Sequence, residues 1–266
     1  MNEHILELVA RVVEWCEPAG DGGRGHPPTG TVRVLATLRR FLREDTPWRS
    51  LRATGAMASG STLRRRLADW AWTGVLRHVH SMLVGMLRGQ PDTALDLIVD
   101  SCSVRAKRGG DLTGPNPTDR AKKETKYHVA VNGDGLPVAC LPVACLPVAC
   151  LAKAANVNDT LMFGRLFRMA HAVMVRVRTA FADNGYDTEA SRDLCRQHGT
   201  EPRIHKRGQP HGSGLGKRRW PVEGANAWLL ENKRLGLRYD RPGFIVDTLL
   251  QAACIFLVAS RLAREF

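Results

Sequence analysis

The chain lacks most of the motifs by which common enzyme classes are recognised. It contains no phosphate-binding glycine loop, no Gly-x-Ser-x-Gly nucleophile motif and no histidine cluster with the spacing of metal ligands. Its seven cysteines include no Cys-x-x-Cys pair and follow no signal peptide, which favours a reducing cytoplasm. These absences leave few catalytic classes open, and carboxylate chemistry is one of them.

The sequence also lacks an apolar run free of charged residues. Its longest apolar stretch, residues 244–262, contains Asp247, Gln251 and Arg261. Each of these side chains is costly in lipid, so the stretch predicts a buried core helix and no membrane contact.

Acidic residues are scarce relative to basic ones. The 266 residues include 39 Lys and Arg against 26 Asp and Glu, a formal net charge of +13. Residues 31–90 hold 11 Lys and Arg and three acids, and residues 203–219 hold six and none. A simple solvated basic face is the alternative, but this density favours nucleic acid as the partner.

The first third of the chain has helical patterns. Residues 1–30 are an N-terminal segment with a short amphipathic pattern, followed by a Gly- and Pro-rich linker from Gly20 to Gly30. Residues 31–90 predict three helices that form an all-α, helix-turn-helix-like DNA-binding domain. The second helix, capped by Ser59 or Ser61, would present Arg64, Arg65 and Arg66 to the major groove. An ordinary helical bundle with an arginine surface remains the alternative.

Residues 91–266 have the pattern of strands and helices that is typical of an α/β domain. A nearly continuous apolar strand ends at Asp100, a second strand covers residues 126–131, and a third follows from about Leu136. Residues 160–170 predict a helix, and the alternation from Val173 to Phe181 predicts a strand. Long helices complete the chain, and this order is that of an RNase H-like domain.

Residues 136–150 are three exact copies of Leu-Pro-Val-Ala-Cys. The period is too short for a solenoid, and cysteines five residues apart cannot converge on one ion in a strand or a helix. A recent tandem duplication is the simplest explanation. We expect the ten extra residues to bulge from the edge of the sheet.

Three carboxylates form a candidate catalytic triad. Asp100 ends a predicted strand, Asp183 directly follows another, and Glu223 lies at the start of a helix, where Pro221 suits the first helical position. Individually they have structural alternatives: a strand-end turn, an Asx-turn before Asn184 and a favourable N-terminal charge, with Asp96 a rival on the first strand. Together, in a basic protein, they suit two Mg²⁺ or Mn²⁺ ions that promote phosphodiester displacement.

The stretches around these residues resemble the signature regions of a transposase family. Asp100-Ser101, Ala182-Asp183-Asn184-Gly185-Tyr186-Asp187 and Arg219-Trp220-Pro221-Val222-Glu223 are similar to those of DDE transposases of the insertion-sequence-five group, in the insertion-sequence-four superfamily. Further matches include Thr46-Pro47-Trp48-Arg49-Ser50-Leu51 and Ala155-Asn156-Val157-Asn158-Asp159. The resemblance covers roughly residues 24 to 262. In the last signature, Gly216 replaces a tyrosine and Leu230 stands at the lysine position.

The resemblance implies an enzyme that cleaves the ends of its insertion sequence and joins the freed 3′-OH to target DNA. The metal ions would be bound by Asp100, Asp183 and Glu223. Arg219 would contact DNA near the active site, and Lys233 or Arg234 would take the role of the signature lysine. A homodimer on the two element ends, acting in the nucleoid, is expected. The alternatives are an RNase H-type nuclease that cannot join strands and an inactive relic that only binds DNA.

Overall fold

The computed structural model describes residues 3–18, 28–88, 95–117, 119–133, 137–143, 159–173, 176–206, 208 and 215–265. Its helices are α1 (Glu3–Cys16), α2 (Thr31–Glu44), α3 (Gly60–Thr73), α4 (Val75–Arg88), α5 (Asp159–Val173), α6 (Glu189–Gln197), α7 (Leu215–Leu230), α8 (Lys233–Gly236) and α9 (Gly243–Glu265). Its strands are β1 (Leu95–Ala106), β2 (Gly114–Asn116), β3 (Lys122–Asn132), β4 (Pro137–Val143), β5 (Val177–Ala182), β6 (Glu201–Ile204) and β7 (Leu237–Arg238). The chain is thus the mixed α/β protein that the sequence predicts.

The predicted breaks between α2, α3 and α4 are confirmed. Helix α2 ends at Asp45, which adopts a left-handed conformation with φ of 53°. The side chain of Ser59 caps α3 by accepting a hydrogen bond from the backbone N–H of Thr62. Gly74, with φ of 70°, ends α3 in a conformation that costs little only for glycine.

Two helices that the sequence assigned to other parts of the chain, α1 and α9, pack against the helices of residues 31–88. Helix α1, expected in a terminal segment, buries Val9 and Val13 and contacts α2 and α4. Helix α9, expected in the catalytic domain, packs mainly on α4 and also contacts α1, α2 and α3. Because amphipathic helices need an apolar partner and α9 is apolar around most of its surface, the described residues share one continuous core.

The connection between α2 and α3 differs from the short turn of a helix-turn-helix. Residues 45–59 join them and include a 3-10 helix, Trp48–Ser50, whereas such motifs use three or four residues. Phe41 and Trp48 pack with their ring centroids 4.2 Å apart, which holds this connection against α2.

The sheet follows the predicted order of strands. β3 is antiparallel to β1, and β4 and β2 pair with the other side of β3. β5 runs parallel to β1, β6 runs parallel to β5, and β7 pairs with the end of β1. This arrangement is consistent with an RNase H-like domain.

Two predicted boundaries were wrong. β5 begins at Val177 rather than Val173, because Val173 continues the helical spacing of the buried residues of α5 (Phe163, Leu166, Phe167 and Ala170). Helix α7 begins six residues before Pro221, which lies inside the helix although proline favours a first turn. Helix α7 also ends at Leu230, before Lys233 and Arg234, the two candidates for the signature lysine.

Helix α9 is long and apolar enough to cross a membrane, but 72% of its apolar window is buried inside the protein. Gln251 is buried in the core, and Asp247 pairs with Arg77 of α4 at 3.2 Å. These contacts agree with the core helix that the sequence predicts.

The predicted third strand is confirmed as β4, at the edge of the sheet beside β3. It contains residues 137–140 of the first pentapeptide copy and Leu141, Pro142 and Val143 of the second. An edge position tolerates proline, because a missing backbone donor there interrupts only one ladder. The prediction that all ten extra residues bulge from the sheet was therefore wrong for residues 141–143, which pair with β3. The rest of the repeat, with the remainder of the predicted bulge, lies outside the described residues.

Candidate active site

The register of the parallel strands brings Asp100 and Asp183 to neighbouring positions. Leu97 pairs with Ala180 and Ile98 with Phe181. Continuing this register by two residues sets Asp100 opposite Asp183, on chains about 4.8 Å apart. Both side chains are partly buried. The sheet therefore brings together the two aspartates that the sequence singled out.

The sequence predicted that Asp100 ends its strand, and this was wrong. β1 continues to Ala106 because β3 pairs with it as far as Arg105. β5, however, ends at Ala182. Asp100 therefore lies where its parallel neighbour stops, and the edge beside it is occupied by the turn that carries Asp183.

That turn is the Asx-type turn considered for Asp183. Its Oδ1 accepts a hydrogen bond of 3.0 Å from the backbone N–H of Gly185 and caps the 3-10 helix Asn184–Tyr186. The hydrogen bond uses one carboxylate oxygen and orients the group. A structural role at this turn is compatible with metal binding through the second oxygen.

Several negative charges surround Tyr186, the last residue of the turn. The phenol is buried and forms a 2.9 Å hydrogen bond with Nδ1 of His128. Burial raises the pKa of Tyr186 well above its usual value, and the charges of Asp159, Asp100 and Asp183 raise it further. This end of the sheet therefore concentrates negative charge and suits a cation.

The chemistry of these donors fits a hard divalent ion. Burial, with the nearby charge of Asp100, raises the pKa of Cys102 to about 12 and keeps the thiol protonated. The carboxylate oxygens of Asp100 and Asp183 are the kind of ligand that Mg²⁺ and Mn²⁺ prefer.

Glu223 lies on α7, which contacts β1, β3 and β5. Val222 and Ala225 are fully buried, whereas Glu223 is exposed. Among the residues that the structure describes, no three His, Cys, Asp or Glu side chains are close enough together to hold a metal ion. The helix thus covers the strands of both aspartates, but Glu223 does not complete a three-ligand group with them in this conformation.

The rival Asp96 has a different partner. Its Oδ1 accepts a hydrogen bond from Nε of Arg178 at 3.1 Å and forms an ion pair with Nη2 at 3.0 Å. The pair joins β1 to β5 near the start of both strands, which is a structural position.

The three arginines of α3 differ in their environments. Arg65 is exposed, and Arg64 is exposed with its guanidinium 5.0 Å from the ring of Trp48. Arg66 is turned inward, where it pairs with Glu17 at 2.7 Å and lies over Trp70. Only Arg64 and Arg65 are therefore in a position to reach a partner on the surface.

The two basic residues that follow α7, Lys233 and Arg234, also differ in their exposure. Lys233 is exposed. Arg234 is 6% exposed, and its guanidinium pairs with Asp240 at 2.8 Å and with Asp45 at 2.7 Å. Arg234 does not reach the surface, so a contact with DNA phosphate is not supported for it. The side chain of Arg219 lies outside the described residues.

Sequence reasoning missed a group next to Asp183, which consists of Lys126, His128, Asp159 and Tyr186. Lys126 and Asp159 form an ion pair of 2.7 Å. Asp159 closes one of the stretches that resemble the transposase family, and this was the only signal available for it. No spacing rule links it to Lys126, which lies on a different element.

The mixed α/β fold and the neighbouring positions of Asp100 and Asp183 suit an α/β enzyme that works with divalent metal ions. The sequence model of the family described as "Transposase DDE domain" matches residues 92–256. The chain belongs to this family. It is a DNA transposase, an enzyme of DNA cleavage and strand transfer, and enzymes of this family use divalent metal ions.

Individual relatives have related names. The chain is 36% identical over 188 residues to a protein of Burkholderia cepacia named as a transposase for insertion sequence element IS402, covering 66% of this chain and 82% of the relative. It is 28% identical over 118 residues to an uncharacterized 16.2 kDa protein of the IS402 element from the same organism, covering 44% of this chain and 80% of that protein.

Two solved structures show weaker similarity. A piggyBac transposase synaptic complex with hairpin DNA matches with 11% identity and a TM-score of 0.46, covering 100% of this chain and 74% of that chain. The Mos1 transposase paired-end complex with the left transposon end matches with 14% identity and a TM-score of 0.29, covering 91% and 83%. The family assignment rests on the sequence matches.

Proposed function

We propose that this transposase cleaves the ends of an insertion sequence of the insertion-sequence-five group and joins the freed 3′-OH to target DNA, with Asp100, Asp183 and Glu223 as its catalytic triad. The main support is the parallel register of β1 and β5: continued two residues beyond the pair Ile98–Phe181, it would bring Asp100 beside Asp183. The IS402 relatives support an insertion sequence as the element.

The proposed ligands have distinct tasks. Asp100 lies within β1 and is paired with β3, so the sheet fixes the backbone position from which its carboxylate extends. Asp183 is oriented by the backbone of Gly185. Glu223 is exposed on the helix above both strands and supplies the third carboxylate. Two Mg²⁺ or Mn²⁺ ions held there would activate the attacking oxygen and stabilise the leaving oxygen.

The proposed DNA contacts come from basic residues, of which Arg64, Arg65 and Lys233 are exposed. Arg64 and Arg65 on α3 would contact the terminal inverted repeats, and Lys233 and Arg219 would contact DNA near the triad. In this proposal α1 to α4 bind DNA as a helical bundle packed on α9, and the short turn of a helix-turn-helix is not required. Because both ends of the element must react together, we propose a homodimer on the DNA, in the nucleoid.

The triad is tested by three isosteric substitutions. Asp100→Asn, Asp183→Asn and Glu223→Gln should each reduce Mg²⁺-dependent cleavage of element-end DNA at least about 100-fold, because each removes a charged ligand. Gel-shift binding to the same DNA without metal should persist. Strand joining from a pre-cleaved end should fall in parallel.

Asp96→Asn is the matched control, because Asp96 is a carboxylate of the same strand that is paired with Arg178. It should keep cleavage within about threefold of wild type, a change of less than 1 kcal/mol in the activation barrier. Near wild-type cleavage in any of the three triad variants would remove that residue from the site. Cleavage without joining by the wild-type chain would indicate a nuclease instead.

A further inference from the structure

The ion pair between Lys126 and Asp159 lies beside the turn that carries Asp183. Lys126 is on β3, and its Nζ is 2.7 Å from Oδ1 of Asp159, the first residue of α5. The carboxylate is 17% exposed and the lysine 37% exposed. The pair is therefore partly screened from water, and breaking it leaves a charge at the edge of the catalytic site.

Gly185 shows how close Asp159 is to Asp183. A Cβ at Gly185 would lie 3.0 Å from Oδ2 of Asp159 and 3.0 Å from Oδ1 of Asp183. Both carboxylates therefore flank one point, and only a residue without a side chain fits between them. Two like charges this close make the turn attractive to any nearby cation, whether a metal ion or a lysine ammonium.

The second basic residue near Asp159, His128, is not available to replace Lys126. His128 is fully buried, and its Nδ1 is bonded to the hydroxyl of Tyr186. Its Nε2 is 3.9 Å from Oδ1 of Asp159 and has no hydrogen-bond partner among the residues described. Burial lowers the pKa of His128 to about 4, so it is neutral at pH 7 and does not balance the carboxylate. Lys126 is therefore the cation on which Asp159 depends.

We infer that Asp159 is a positioning residue that holds the ammonium of Lys126 away from Asp183 and thereby keeps Asp183 available to the metal ion. The inference rests on the proposed role of Asp183 as a ligand. Without the charge of Asp159, the long side chain of Lys126 pairs with the carboxylate that remains and competes with the metal. Removing Lys126 as well removes the competitor.

The test is a titration of the full-length protein with Mn²⁺ alone, followed by calorimetry or by the electron paramagnetic resonance signal of free Mn²⁺. Asp159→Asn should weaken Mn²⁺ binding at least about tenfold, the lower range for changes around metal ligands. Lys126→Gln should bind within about threefold of wild type. The double variant should recover wild-type affinity within the same range, although it has lost the same ion pair.

This rescue separates positioning from a simple structural role. If the ion pair only stiffened the fold, both single variants and the double variant would lose affinity together, and that result would overturn the inference. Lys126→Gln alone is decisive even if Asp159→Asn does not fold, because a tenfold loss in Lys126→Gln contradicts competition by the lysine. Melting temperatures of all variants show which of them fold.

Two further variants complete the design. Lys122→Gln is the matched control, because Lys122 lies on the same strand, is equally exposed and forms a 2.7 Å pair with Asp119. It should bind Mn²⁺ as wild type does. Asp100→Asn tests the underlying site. Full affinity in Asp100→Asn would overturn the proposed triad, whereas loss there with full affinity in Asp159→Asn would overturn only the role of Asp159.

Discussion

Arg234 illustrates how a buried cation can join distant parts of the chain. It donates to Asp240 and to Asp45, and its guanidinium stacks 4.2 Å from the ring centroid of Phe41. Burial alone would lower the pKa of Arg234, but the hydrogen bonds and charges of Asp240 and Asp45 raise it. Trp48 donates its indole N–H to the same Asp240. One guanidinium thus links α2, the Trp48 turn and the segment after α7.

Protonation of His128 opposes folding. Its pKa falls from 6.5 to about 4 because of burial, while the charge of Asp159 raises it and that of Lys126 lowers it. The unfolded chain therefore takes up a proton below pH 6.5 and the folded chain does not until about pH 4. Stability is present above pH 6.5 and is lost as the pH falls, at about 1.4 kcal/mol per unit.

We predict that wild type loses about 2 kcal/mol more than His128→Gln between pH 7.5 and pH 5. The free energy of unfolding in urea at both pH values measures this difference. The groups that face His128 (Lys126, Asp159 and Tyr186) are retained in the variant, so their own titration largely cancels. Equal losses in both proteins would mean that His128 binds its proton equally in both states.

At the scale of elements, the position of β4 at the edge of the sheet determines how much the pentapeptide repeat affects the stability of the fold. Deleting residues 141–150 would join Cys140 to Leu151 and replace Leu141-Pro142-Val143 with Leu151-Ala152-Lys153. Ten residues is an even number, so each side chain keeps its face of the sheet. The alanine also restores a backbone donor that Pro142 lacks.

We therefore predict that this deletion keeps the fold, raises solubility or stability, and retains or increases cleavage. Deleting only residues 146–150 leaves the whole of β4 unchanged and is the control. Circular dichroism, thermal melting and the end-cleavage assay measure the outcome. Unfolding of the longer deletion with a folded control would show that the second copy is an integral part of β4.

At the scale of the whole molecule, the net charge of +13 should dominate DNA binding. Each phosphate contact that a basic residue makes releases counterions, so affinity falls with salt. We predict that Arg64→Ala and Arg65→Ala each weaken binding of the full chain and reduce the slope of log K against log salt by about 0.9. Fluorescence anisotropy with end DNA measures both quantities.

Arg66→Ala is the internal comparison, because Arg66 is partly buried and paired with Glu17. It should lower the melting temperature and leave the salt slope unchanged. A reduced slope in Arg66→Ala, or none in the other two variants, would contradict the assignment of the exposed face of α3 to DNA.

The sequence by itself determined most of the local elements and the class of enzyme. Apolar periodicity and caps such as Ser59 and Gly74 define helices without reference to the rest of the chain, because they act over one or two turns. The excess of basic residues indicated nucleic acid, and the motifs around Asp100 and Asp183 indicated a transposase, the class that the family match confirms.

Tertiary structure alone decided which residues meet. The partners of Arg234 are 6 and 189 positions away, and Lys126 is 33 positions from Asp159. Nothing local distinguishes a cation that binds phosphate from one that is buried in an ion pair. Likewise, α1 and α9 lie at opposite ends of the chain and share one core, because burial depends on packing partners that periodicity cannot specify.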